Sequence, residues 1–178
     1  MLPSLYIFAF FNALSYGIRS VMAGHQPQLQ HVFTTSLLVD FSKQFFIRTP
    51  RHTRVNLTIV GGNWTTPDGA LIAQVVPGLG AEWGTIDEFG VLSLDAYYNV
   101  QFVKDRKYAY VRLTGFGVSG KFNDGRTVLE TDSEHYSFLN DVTFIAPGKF
   151  SGNVIVAPQW AAVDALGASF GTPKGERA

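Results

Sequence analysis

Residues 61–83, GGNWTTPDGALIAQVVPGLGAEW, and residues 90–117, GVLSLDAYYNVQFVKDRKYAYVRLTGFG, decide the fold. Runs rich in Val, Leu, Tyr and Phe alternate with Gly, Pro and Asp, the pattern of short strands separated by tight turns. Ala70 to Val76 follows the turn Pro67-Asp68-Gly69, and Val91 to Val103 with Tyr108 to Thr114 reads as a hairpin around Lys104–Lys107. On the first hairpin strand Leu92, Leu94, Ala96, Tyr98, Val100 and Phe102 share one face, and Ser93, Asp95, Tyr97, Asn99 and Gln101 the other. On the second, Tyr110, Arg112 and Thr114 oppose Ala109, Val111 and Leu113. Either the apolar face is the core and the polar face is wet, or the polar face lines a cavity. The pattern leans to the first.

Working outward, Leu29 to Val39 and Arg54 to Val60 read as earlier strands, with Phe41 to Arg51 a long connection broken at Thr49-Pro50. Asn123-Asp124-Gly125 reads as a turn before a strand at Thr127 to Thr131, and Tyr136 to Ile145 and Asn153 to Ala157 complete about eight strands. No amphipathic helix of domain size appears, so the chain is all-β, a barrel or a sandwich. A barrel of about eight strands can hold one small ligand. Residues 24–166 form the domain, with one or two helical turns at Ala161 to Leu166, and residues 167–178 read as a disordered tail.

The 178 residues suit one domain with a single core. Lys+Arg and Asp+Glu number 14 each, and no basic run is free of carboxylates, which argues against sequence-independent nucleic-acid binding. With no cysteine, disulfides, thiol catalysis and thiolate metal sites are excluded. Residues 1–23 resemble a secretory signal peptide: Leu5 to Leu14 is apolar, and Val21 and Ala23 are small residues before Gly24. Two glycosylation sequons, at Asn56 and Asn63, agree with a secreted, extracellular protein free of the membrane once the leader is removed. A glycan on Asn56 requires that side chain to face water and Val55, Leu57 and Ile59 to face inward.

The pieces Gly61-Gly62, Val75-Val76-Pro77-Gly78, Gly80-Ala81-Glu82-Trp83, Leu94-Asp95-Ala96-Tyr97-Tyr98, Tyr110-Val111 with Gly115, and Tyr136-Ser137-Phe138-Leu139-Asn140 with Phe144 occur in a recognisable order. As a set, across residues 29–157, they resemble domain-of-unknown-function family 3237, small proteins of bacteria and fungi. The resemblance implies an antiparallel, lipocalin- or calycin-like β-barrel, and brings no settled reaction. Some fungal relatives look like accessory proteins of secondary metabolism, which the resemblance extends to a cyclase or isomerase. Glu82 stands where the family usually has Asp, Phe138 where it has Trp, and Tyr97 where it has Arg, so an anion-binding role is not carried over.

Several residues invite chemistry. Glu82 and Trp83 follow a Pro-Gly-x-Gly turn that aims them at a barrel mouth; a carboxylate desolvated beside an indole suits general acid/base work. The plainer reading, with Trp83 a plug and Glu82 paired to an arginine, is the stronger of the two. Asp95, mid-strand, calls for a partner, and Arg112 on the adjacent strand supplies it, with Tyr97 and Tyr110 as phenol donors to a ligand. A cross-strand ion pair on a solvated face explains the same residues equally well. Asn140 either caps a turn or binds a ligand carbonyl. The motif Gly115 to Gly120 matches G-x-G-x-x-G but opens no helix, so no dinucleotide site follows. The four histidines are scattered and argue no metal site, and no other cofactor is called for.

Three functions fit these readings. The first is a secreted barrel that binds a small, partly apolar molecule. The second is a cofactor-free isomerase, cyclase or dehydratase acting in the lumen, with Glu82 or Asp95 as base. The third is a structural surface protein with a filled core. A cavity touching a buried carboxylate favours the second.

Overall fold

The computed structural model describes residues 28–118 and 122–163. The leader, the tail and the last two residues of the glycine motif lie outside these residues. Ten strands form one antiparallel sheet: β1 (Leu29–Arg48), β2 (Thr53–Thr65), β3 (Leu71–Val75), β4 (Gly80–Glu82), β5 (Thr85–Ile86), β6 (Val91–Phe102), β7 (Tyr108–Val118), β8 (Phe122–Thr131), β9 (Phe144–Ser151) and β10 (Val154–Ala162). Strand β1 pairs with both β10 and β2, which closes the sheet into a barrel. The short strands β3, β4 and β5 lie end to end in one lane, each paired to β2 on one side and β6 on the other. The barrel therefore has eight strand positions.

The hairpin β6–β7 is in register from Val91↔Val118 to Gln101↔Tyr108. Its apolar parity, Leu92 to Phe102, faces inward and is buried throughout. On β2 a bulge resets the parity. Leu38 pairs with Gly61 but Val39 pairs with Ile59, so Val60 is an extra residue. Odd-numbered Leu57 and Ile59 and even-numbered Trp64 consequently all point into the core. Gly62, at φ +133°, permits this turn; a Cβ there would sit 2.0 Å from the Ser36 carbonyl oxygen.

Four expectations change. Residues 41–48 continue β1 instead of forming a loop, because Phe45–Arg48 pair with Thr53–Asn56. Asn123-Asp124-Gly125 lies within β8, held in register between β7 and β9. The Tyr136 segment is a 3₁₀ helix at Ser137–Asp141 before β9 begins at Phe144, its Leu139 turned into the core. Strand β10 extends past the expected Ala157 to Ala162; of the helical turns expected over Ala161 to Leu166, Val163 is helical and residues 164–166 lie outside the described residues. Pro158 of β10 is tolerated because pairing with β9 lapses between Val156 and Trp160.

The core is uneven. The larger cluster stacks Phe33 on Trp64, with ring centroids 4.4 Å apart, and sets Tyr98, Phe102 and Phe144 edge-on around that pair. The 3₁₀ segment caps this end, with Tyr136 stacked on Phe102 at 4.2 Å. Towards the other end lies a small separate cluster of Val55, Leu92 and Leu94, with Ile86 packed against it.

Candidate active site

At that second end the barrel is open. Between Asp40↔Thr58 and Phe45↔Asn56, β1 advances five residues while β2 advances two. The unpaired residues Phe41 to Gln44 bulge out of the ladder, and beyond them β1 pairs with β2 again, whose Thr53 and Arg54 also pair with β5. A cavity of about 240 Å³ lies beneath. Phe41, Phe46 and Phe150 form its rim, Val55, Leu57 and Leu92 its walls, and Glu82 and Gln44 are its polar side chains. A larger open depression of about 430 Å³ at the hairpin tip is lined by residues 49–53 and 86–88. It contains no buried group and is a surface fold between two turns.

Glu82 ends β4, where it pairs with Leu57 on β2 and Ala96 on β6, both inward-facing. The residue is 5% exposed. Among the described residues its carboxyl has neither a hydrogen bond nor an ion pair. Burial alone raises its pKa from an ordinary 4.5 to about 7. Gly84 keeps room for it: a Cβ there would lie 3.1 Å from Glu82 Oε1 and 2.8 Å from the Ser93 carbonyl oxygen. The carboxyl is thus half-ionised near neutrality, in contact with an apolar cavity, and unpartnered.

The other expected site residues lie elsewhere. Trp83 follows Glu82, and successive strand residues point to opposite faces, so its ring is turned outward and 44% exposed. It does not plug the mouth. Arg54 donates to the Trp83 carbonyl oxygen at 2.7 Å and not to Glu82. Asp95, Tyr97, Tyr110 and Arg112 occupy the outer wall, because the opposite parity of β6 and β7 is the apolar one. There Arg112 Nε sits 3.4 Å from Asp95 Oδ1, Tyr97 donates to Asp95 Oδ2 at 3.1 Å, and Tyr97 and Tyr110 stack at 6.1 Å. These are contacts along and between β6 and β7 on a wet face, so Asp95 is not a base in the lumen. The family position held by Tyr97 is likewise outside the cavity. Asn140 is fully engaged: it accepts from the Thr131 N–H at 2.7 Å and donates to the Thr131 and Ser137 carbonyl oxygens, fastening the 3₁₀ segment to β8.

Of the two sequon asparagines, Asn63 is exposed, whereas Asn56 is only 4% exposed and its Nδ2 has no partner. Asn56 is buried despite its outward parity because it lies in mid-sheet, with Phe45 directly opposite on the same face. In the folded barrel it does not face water. Sequence reading missed Gln44, which it left in a connecting loop. The available signal was a lone amide within the aromatic run Phe41 to Phe46. Among the described residues no group of three His, Asp or Glu side chains is placed to hold a metal ion.

Residues 27–124 match the family described as Protein of unknown function (DUF3237). The chain belongs to this family. No curated protein sequence matches it significantly. Among solved structures, it is similar to a conserved protein of unknown function from Rhodopseudomonas palustris at TM-score 0.67 and 20% identity, covering 77% of this chain and 98% of that one. A beta-barrel like protein from Acinetobacter baumannii aligns at TM-score 0.64 and 17% identity, over 78% and 98% of the two chains. A protein from Penicillium herquei, described as an enzyme, aligns at TM-score 0.56 and 21% identity, over 78% and 96%. At these identities the likeness establishes the barrel fold and nothing about its chemistry.

Proposed function

We propose that this DUF3237 barrel is an acid/base enzyme of the isomerase, cyclase or dehydratase kind, acting with its own side chains on a small, mostly apolar molecule in the barrel mouth. The observation that carries the reading is Glu82: an unpartnered carboxyl, 5% exposed, in the floor of an apolar cavity. A structural carboxylate at that depth would be paired, since an unpaired buried charge costs several kcal/mol (of order 3–5). With a pKa of about 7, both its protonated and ionised forms are present at neutral pH, as a group that both removes and returns a proton requires. The Penicillium herquei relative is described as an enzyme, which agrees with the reading.

The second reading is a binding barrel without turnover, favoured by the cavity's aromatic rim. For either, we place the protein on the secretory route on the strength of its leader-like first 23 residues and the exposed Asn63 sequon. One experiment separates the readings. The protein is isolated from its own host, the co-purifying small molecule is detected by native mass spectrometry, and that molecule is incubated with wild type and with Glu82→Gln. Conversion by wild type, with retained binding but no conversion by the variant, supports the enzyme. Binding by both without conversion establishes the binding barrel. Equal conversion by both removes Glu82 from the chemistry.

A further inference from the structure

The segment 41–48 has inverted burial. Phe41, Phe45, Phe46 and Ile47 are each about half exposed, together with Ser42, Lys43 and Arg48. Gln44 is the one half-buried residue of this run, and it lines the cavity together with Phe41 and Phe46. Ordinary packing would bury an aromatic in preference to an amide. A rim that reverses this choice breaks a local rule, and such breaks concentrate where a site needs them. Among the described residues the Gln44 amide has no hydrogen-bond partner. The cavity therefore holds two polar side chains, neither with a partner among the described residues: a carboxyl in the floor and a primary amide at the rim. Among the described residues no lysine or arginine lines it.

Resting on the acid/base reading of Glu82, we propose that Gln44 is the second polar anchor of the site, and that the cavity takes a neutral, largely apolar molecule with an enolisable carbonyl. The carbonyl oxygen accepts from Gln44 Nε2–H, and the adjacent C–H points at Glu82. The ionised Glu82 carboxylate takes that proton. The C–H electron pair becomes the C=C of an enolate, and the carbonyl π pair moves onto the oxygen held by Gln44. Return of the proton to the same carbon, or to the far end of a conjugated enolate, leaves a product of unchanged composition. No oxidant, reductant or second substrate is consumed. The apolar walls exclude a permanently anionic substrate, which would meet Glu82 with no cation to balance it. The small volume, below the roughly 300–1,000 Å³ of pockets for drug-sized ligands, admits a single ring or one end of a longer molecule.

The test uses cyclohexanone labelled with ¹³C at the carbonyl and the intact protein in D₂O. Infrared spectroscopy reads the bound carbonyl stretch, and NMR reads α-deuterium incorporation. In wild type the stretch moves to lower frequency and exchange is accelerated over buffer. Gln44→Met, close in shape but without a donor, abolishes the frequency shift and slows exchange by about 10- to 100-fold. Glu82→Gln stops exchange but keeps the frequency shift. An unaltered carbonyl stretch and exchange rate in Gln44→Met overturn the role of Gln44 and leave that of Glu82 standing. Unaltered exchange in Glu82→Gln overturns the acid/base reading, whatever Gln44 does. Absence of cyclohexanone binding, or tighter binding of cyclohexylammonium at pH 8, overturns the substrate class.

Discussion

The two ends of the lumen are made by the same strands with the same alternation, and differ in what fills the middle. At the closed end the inward positions carry Phe33, Trp64, Tyr98, Phe102 and Phe144, whose rings contact one another and leave no room for a ligand. At the open end they carry Val55, Leu92, Leu94 and Glu82, smaller side chains, the first three forming a separate cluster beside the cavity. Packing is concentrated at the first end, and the second keeps an open cavity. The buried titratable groups follow the same division. Burial pushes the Tyr98 phenol up to about 12, where it stays neutral and inert, and lifts Glu82 to about 7, where it can work.

The largest expected effect lies at the closed end. Trp64→Ala removes a fully buried indole in contact with three other rings and should cost about 3–5 kcal/mol of unfolding free energy in urea titrations. Trp64→Phe keeps most of the packing, so its cost should stay under about 1.5 kcal/mol. Equal losses in the two variants would show that this end is not packed as described.

The next effect is a pH dependence centred on the open end. Folded Glu82 holds its proton to about pH 7, while the unfolded chain releases it near 4.5. Between those values the folded state binds more protons, so stability falls as pH rises through the window and is level above it. The difference corresponds to ~3 kcal/mol for this group. Glu82→Gln should remove that part of the slope, read as a smaller change in urea midpoint between pH 4.5 and pH 8 than in wild type. An unchanged slope would mean that the carboxyl has a partner or reaches water.

How much of this was legible in the sequence follows from parity. The inward row Leu92 to Phe102 could be read directly, since a period-two apolar run allows one orientation against a core. Glu82 stood out because it follows a glycine turn in an otherwise apolar lane. The depth of its burial was not legible, because it depends on Leu57 and Ala96, which lie 25 and 14 positions away and are brought beside it by register. Asp95 and Arg112 misled because a polar row with an internal ion pair looks the same in sequence whether it faces water or a lumen. Gln44 was hidden by a bulge: an excess of three residues over β2 shifts the phase of β1, and no local periodicity reports which way an amide then turns.

A smaller effect is expected at the rim. Phe46 faces the cavity yet is 53% exposed, so Phe46→Ala should change stability by no more than about 0.5 kcal/mol. It should weaken cyclohexanone binding several-fold, measured by titration, because a bound ring would cover that face. A stability loss as large as that of Trp64→Ala would instead make the rim part of the core.

The smallest effect belongs to the outer wall, and it tests the orientation of the whole barrel. The Asp95 and Arg112 side chains are 39% and 48% exposed, and their closest approach is 3.4 Å. At that exposure water screens the pair, and the entropy of holding a long guanidinium offsets most of the attraction, so Arg112→Ala should cost less than ~1 kcal/mol. The cost should shrink further in high salt, and neither cyclohexanone binding nor exchange should change. The mouth is built from the other parity of the same strands, so an outer-wall substitution reaches it only by disturbing the backbone. A loss of several kcal/mol, insensitive to salt and accompanied by lost ligand binding, would place Arg112 inside. The face Leu92 to Phe102 would then have to turn to water, and the closed aromatic end could not exist.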